Sequence, residues 1–209
     1  MPQVFQPSLL DGGSKVEISP ITTGADRTFL AHGAWIELHR NWVTGSDQLF
    51  SSLEASVPWR AERRRIFDRM LDVPRLVAFY AEEQPLPDPA LDTIRQALSA
   101  HFSPELGEPF HTAGLCLYRD KRDSVAWHGD RIGRSRTEDT VVAIVSLGTP
   151  RRFLLRPRGG GQSRHVELGR GDLFVMGGSC QRTWEHCVPK LARASGPRIS
   201  VQFRPSGVR

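Results

Sequence analysis

From about residue 112 the chain is a succession of short segments rich in β-branched and aromatic residues. They are TAGLCLYR, TVVAIVSLG, RRFLLRP, HVELG, GDLFVMGG and RISVQFR, each closed off by Gly or Pro. Segments of that length and content are strands. Short strands with even turn spacing bury their apolar faces by closing into a sandwich or a barrel, and a jelly roll is one such solution. Gly159 to Gly161 marks a hairpin turn between RRFLLRP and RHVELG. The abundance of Gly and Pro, 19 and 15, suits a loop-rich, strand-rich globule better than a helical bundle.

The first half has a different texture. Residues 1 to 30 are polar and are expected to wrap the surface. AWIELH (34 to 39) suits a short strand. SDQLFSSLEAS (46 to 56) suits a helix capped by Ser46 or Asp47, with Leu49, Phe50 and Leu53 on one face. Asp88 is an N-cap and Pro89 a first helical residue, after which Leu91, Ile94, Leu98 and Phe102 recur at helical spacing. The expectation is one mainly β domain with flanking helices (α+β). Residues 1–110 form an N-terminal extension with helices, and 111–205 the closed β core.

With 209 residues, of which 39% are hydrophobic, one real core is affordable. No apolar run approaches the length of a membrane span, and MPQVFQPSLL lacks the pattern of a secretory leader. Cys116, Cys180 and Cys187 form no CxxC and read as reduced thiols, so the expected compartment is cytoplasmic. The net charge of +5 favours an acidic partner such as nucleic acid.

Chemistry concentrates around VAWHGDRIGR. His128 and Asp130 are two residues apart at or near a strand end, a spacing that puts both side chains on one face of a strand. His186 lies in CQRTWEHCVPK, shortly after GDLFVMGG. Two imidazoles and one carboxylate on one face of an octahedron leave three positions open, the arrangement of non-haem Fe(II) oxygenases. Arg198 and Arg204 flank RISVQFR and point to the same side. Inward guanidiniums need an anion, and a dicarboxylic acid would satisfy both.

H-x-D, a distal His and an R-x-S-x-x-F-R strand, together with LYRDKRDSVAWHGD (117 to 130) and VPRLVAFY (73 to 80), resemble the Fe(II)- and 2-oxoglutarate-dependent dioxygenases of the AlkB type. The resemblance covers about residues 70 to 205. It implies a double-stranded β-helix (jelly-roll) core and a nucleotide-recognition lid before residue 110. It implies that His128, Asp130 and His186 are the iron ligands. Arg198 and Tyr118 would hold the distal carboxylate of 2-oxoglutarate, Arg204 would sit by the other carboxylate, and Ser200 would stand where many members have Asn. Cys116 likewise replaces an Asn. The cofactors would be Fe(II), 2-oxoglutarate as cosubstrate, and O2.

The implied reaction is oxidative demethylation of N-alkylated bases such as 1-methyladenine and 3-methylcytosine in DNA or RNA, in alkylation damage repair. Succinate, CO2 and formaldehyde would be released. The partner would be single-stranded or flipped-base nucleic acid, with no membrane, and the enzyme a monomer. A cationic lesion would suit a pocket holding a carboxylate. After Tyr80 the chain runs straight into a helix, so a hairpin common at that place is missing or short. Base stacking would then fall to His128 and to Trp59, Phe79, Tyr80 or Trp127. Arg131 and Arg134 follow the metal motif and suit phosphate contact. WRAERRR (59 to 65) suits either phosphate contact or a solvated helix face. Two other readings stand beside this one: a 2-oxoglutarate hydroxylase of a protein or small molecule, and a nucleic-acid-binding module without turnover.

Overall fold

The computed structural model describes residues 15–22, 27–66 and 69–208; the side chains of residues 62–66 and 69–72 lie outside that description, as does most of the 1–30 segment. In chain order the elements are β1 (Glu17–Ile18), β2 (Arg27–Phe29), β3 (Ala34–His39), β4 (Val43–Thr44), α1 (Ser46–Ser56), β5 (Arg60–Ile66), β6 (Arg69–Tyr80) and α2 (Pro89–Leu106). Then come β7 (Thr112–Tyr118), β8 (Val125–His128), β9 (Val142–Gly148), β10 (Arg151–Pro157), β11 (Arg164–Leu168), β12 (Asp172–Gly178), the single-turn α3 (Cys180–Thr183), β13 (Trp184–Val188) and β14 (Arg198–Arg204).

Three layers result. A large sheet runs β2-β3-β12-β9-β14-β7-β6-β5, a smaller one runs β11-β10-β13-β8, and β1 pairs with β4 at the side. Alternation along each strand of the large sheet splits its side chains between two cores. On β9, Ala143, Val145 and Leu147 pack against Leu49, Phe50, Leu53, Leu91, Ile94 and Leu98 of the helices. Val142 and Ile144 face the other way, into a core shared with Phe153, Leu155, Trp184 and Val188 of the small sheet. The helices thus cover one face of the large sheet, and the small sheet faces the other. This is the closed, mainly β jelly roll that the strand pattern predicts.

Local signals hold where their chemistry is strong. Asp88 caps α2, its Oδ1 accepting from the Ala90 N–H at 2.9 Å, and Pro89 opens the helix. α2 ends at Gly107, whose φ of 81° is a left-handed conformation suited to glycine. On α1 the expectation fails: the N-cap is Gly45 at φ 66°, and Ser46 is already the first helical residue. The Arg-rich 59–65 segment is not a helix. It forms β5, the edge of the large sheet, in a hairpin with β6. No helix among the described residues is long and apolar enough to cross a membrane.

Candidate active site

The two sheets part at one end around a cavity of about 700 Å³. Its small-sheet wall carries the two histidines. β8 and β13 pair antiparallel with His186 opposite His128, so both rings leave the sheet on one face, 4.3 Å apart between centroids. β8 ends at His128. Asp130 therefore reaches the same point from the loop beyond the strand, not by strand alternation. The loop is fixed at its backbone: Asp130 N–H donates to Gln181 Oε1 at 2.9 Å, and the Ser135 hydroxyl donates to the Asp130 carbonyl.

The three side chains offer ligand atoms all within 4.8 Å of one another. His128 Nδ1 lies 2.8 Å from the Ala126 carbonyl, which makes it the protonated nitrogen and leaves Nε2 free toward the group. Arg204 directs Nε and Nη2 to Oδ2 of Asp130, each at 2.8 Å, while Oδ1 lies 3.8 Å from His128 Nε2. Burial opposes ionisation of Asp130, but the Arg204 guanidinium and the two imidazoles outweigh it and hold the carboxyl well below its ordinary range. Burial, and then the neighbouring His128, push His186 down to about 3. Burial likewise lowers His128. Two neutral imidazoles and one carboxylate are the donor forms a divalent metal takes.

On the large-sheet side a buried cation lies beside Tyr118. Arg198 is fully buried, donates from Nε to Ser146 Oγ at 2.7 Å, and leaves Nη1 without a partner. Its guanidinium lies 5.4 Å from the Tyr118 ring centre. Burial pushes the Tyr118 phenol up to about 12, so it stays a proton donor at neutral pH. A buried cation with an unspent donor beside a phenol fits a carboxylate. Ser200, Cys116 and Arg204 line the same cavity. Arg151, on the far side of Tyr118, is buried and donates to the carbonyls of Asp120, Asp123 and Pro189, so its place is structural.

The expected substrate residues divide. Trp127 lines the cavity, with the Arg156 guanidinium 4.1 Å over its ring. Phe79 lines the mouth and is 42% exposed, as does Ile132 at 65%. Trp59 and Tyr80 pack instead against the helical core, and Trp59 Nε1 donates to the Glu54 carbonyl. Arg134 pairs with Glu108 and lies 3.9 Å from Glu138; Arg131 is half-buried, and neither lines the cavity. His111 bridges Glu82 and Glu108, partners that the sequence does not reveal. Among the described lining residues Asp130 is the one carboxylate, and Arg204 already holds it. The signal that finds Phe79 is its register: it pairs with Gly114, which faces the cavity.

A His-Asp-His group with ligand atoms within 4.8 Å of one another, near a buried Arg–Tyr pair between the sheets of a jelly roll, fits a class of oxygenase. The chain belongs to the 2OG-Fe(II) oxygenase superfamily, which its residues 76–204 match, and its cofactors are Fe(II), 2-oxoglutarate and O2. Within that class it is of the AlkB type. It is 30% identical to alpha-ketoglutarate-dependent dioxygenase alkB homolog 3 of Bos taurus over 218 residues, covering 95% of this chain and 73% of that one. It is 28% identical to DNA oxidative demethylase ALKBH2 of Arabidopsis thaliana, over 87% of this chain and 66% of that one. The solved structure of OsALKBH1 superposes with a TM-score of 0.59 at 14% identity, over 85% of this chain and 99% of that one, a likeness of fold.

Proposed function

We propose that this dioxygenase removes alkyl groups from ring nitrogens of nucleic-acid bases, with 1-methyladenine and 3-methylcytosine as representative targets in alkylation repair. His128, Asp130 and His186 hold Fe(II). Arg198, Tyr118, Ser200 and Arg204 hold 2-oxoglutarate. When bound, the metal and cosubstrate supply with O2 the oxidising power that hydroxylates an N-methyl group, which then leaves as formaldehyde while succinate and CO2 depart.

The chain's own residues do the rest. Arg198 meets the distal carboxylate with a donor that has no other partner. Tyr118, kept protonated by burial, adds a second donor. Arg204 fixes one oxygen of Asp130 and so orients the other toward His128. Gln181 and Ser135 hold the loop that carries Asp130. The exposed ring of Phe79 at the mouth offers a stacking face for a base taken out of its helix. Trp127 under Arg156 extends the aromatic wall. The net charge of +5, with Arg60, Arg63, Arg64 and Arg65 on the edge strand β5, supports a phosphate backbone as partner.

The observation that carries this reading is the convergence of the His-Asp-His group with Tyr118, Ser200 and Arg204 on one cavity, with the buried Arg198 guanidinium beside Tyr118 and a half-exposed aromatic ring at the mouth. The enzyme acts as a monomer on single-stranded or flipped-base substrate, in the cytoplasm, where its unpaired Cys116, Cys180 and Cys187 stay reduced. Incubation of a methylated single-stranded oligonucleotide with the protein, Fe(II) and 2-oxoglutarate tests it by mass spectrometry. Loss of one methylene mass per methyl group is expected, with succinate in equal amount. Succinate formed without any change in the oligonucleotide, or no dependence on His128, overturns it.

A further inference from the structure

The inward face of β14 is a ladder of four polar residues, Arg198, Ser200, Gln202 and Arg204, while Ile199, Val201 and Phe203 are fully buried on the helical side. Three of these have parts in holding the carboxylate metal ligand and the cosubstrate. Gln202 does not, yet it lines the cavity and is only 9% exposed. It belongs to one rung of the large sheet: Phe79 pairs with Gly114, and Gly114 pairs with Gln202. Paired residues share a face, so the rung runs from the ring at the mouth, across a residue with no side chain, to a carboxamide.

The direction of that carboxamide is fixed. Nε2 donates to the Ser200 hydroxyl at 2.6 Å and to the Ser200 carbonyl at 3.0 Å. Turning the amide over would set its oxygen against the Ser200 carbonyl oxygen. Oε1 therefore points across Gly114, where an added Cβ would lie 3.1 Å from it and 2.7 Å from Arg204 Nη1. Arg204 directs Nε and Nη2 to Asp130. Among the described residues the donor bonded to Oε1 is the Cys116 thiol, at 3.8 Å, a weak donor. Oε1 is thus a strong acceptor inside the cavity with capacity to spare. 2-Oxoglutarate at neutral pH presents carboxylate and ketone oxygens, all acceptors, and cannot serve it.

We propose that Gln202 is a specificity-determining residue, whose Oε1 accepts a hydrogen bond from an exocyclic amino group of the base. It selects adenine- and cytosine-type lesions over thymine-type ones, whose alkylated nitrogen is flanked only by carbonyls. This rests on the nucleic-acid reading above and names the substrate class within it. Adenine and cytosine carry an amino group where guanine and thymine carry a carbonyl. Alkylation of the neighbouring ring nitrogen puts positive charge on that amino edge, which makes its hydrogen bond charge-assisted. A carbonyl edge would bring oxygen to oxygen. The lining carboxylate cannot substitute, because Arg204 and the metal position claim Asp130.

The test uses the full chain with Fe(II), 2-oxoglutarate and single-stranded oligonucleotides carrying 1-methyladenine, 3-methylcytosine, 1-methylguanine or 3-methylthymine. The readout is the ratio of kcat/KM for 1-methyladenine and 3-methylcytosine to that for 3-methylthymine, whose methylated nitrogen is flanked by carbonyls on both sides. Any disturbance of the cosubstrate site is common to both classes and cancels in that ratio. Gln202→Leu lowers the ratio about 10- to 100-fold, the worth of one charge-assisted bond, and Gln202→Glu raises it. The glutamate arm keeps the question decidable should the leucine variant fail to fold. An unchanged ratio in the folded variants overturns the role of Gln202 and leaves the demethylase reading standing. A wild-type protein that acts on none of the four lesions overturns both.

Discussion

Replacement of Arg198 by methionine separates two effects that a merely structural arginine would not separate. Arg198 is about 1% exposed, and its guanidinium has a buried N–H with no partner. An unsatisfied buried donor costs about 1–3 kcal/mol, and exchanging a buried ion for an apolar side chain of similar volume is often neutral or stabilising. Loss of the Ser146 contact offsets part of this. Arg198→Met is therefore expected to raise the stability of the cosubstrate-free protein by about 1–2 kcal/mol, or roughly 2–8 °C in Tm for a chain of this size. The same change removes the guanidinium proposed above to meet the distal carboxylate. With about 3 kcal/mol for a pair of charge-assisted bonds, affinity for 2-oxoglutarate falls roughly 100-fold. Differential scanning fluorimetry, with and without 2-oxoglutarate, reads both. The wild type should show a lower starting Tm and a large upward shift on adding the cosubstrate. The variant should start higher and shift little. A variant that melts below the wild type while retaining the shift refutes the assignment of Arg198 to the anion site.

His186→Ala removes one donor of the facial group. It should weaken Co(II) or Fe(II) binding by more than the roughly 10–100-fold typical of an outer-shell change, read by calorimetric titration, and unchanged affinity would exclude His186 as a ligand. Phe79→Ala should weaken binding of a methylated oligonucleotide by about 1–3 kcal/mol and leave the KM for 2-oxoglutarate alone, whereas Trp59→Ala should lower Tm and leave oligonucleotide binding alone; fluorescence anisotropy separates the pair. Glu37 is buried, and although burial opposes its ionisation, His39 and Arg27 hold its carboxyl below its ordinary value. A depressed folded value gives stability that is fully present above about pH 4.5 and is lost as the pH falls through that folded value. Urea midpoints from pH 7 to pH 3 should drop less steeply in Glu37→Gln than in the wild type below pH 4.5, and parallel curves would remove Glu37 from the acid response.

Where side-chain chemistry is local, the sequence is readable. Asp88–Pro89 announces the start of α2, and strand alternation announces β9 and β14 with their two-faced burial. His128, Asp130, His186 and Tyr118, singled out by motif order, line one cavity, and Arg198 is buried beside Tyr118. What stays hidden depends on partners distant in the chain. The Arg-rich 59–65 stretch has helical propensity, but pairing with β6 makes it a strand, in a hairpin that comes before Tyr80 rather than after it. Trp59, Tyr80 and Phe79 are equally aromatic on paper. Only register and the packing of the helices send the first two to the core and the third to the mouth. Gln202 carries no motif, and its importance follows from the glycine opposite it.

The cross-strand meeting of His186 with His128 ties the chemistry to a register. A one-residue slip of β13 along β8 would turn His186 to the outer surface and bring Cys187 inward. Chain-length changes should accordingly be harmless in the glycine turn at Gly159–Gly161, whose added Cβ atoms meet nothing closer than 3.8 Å, and ruinous between Trp184 and Val188. A lineage of such enzymes would vary in the first place and keep strict length in the second.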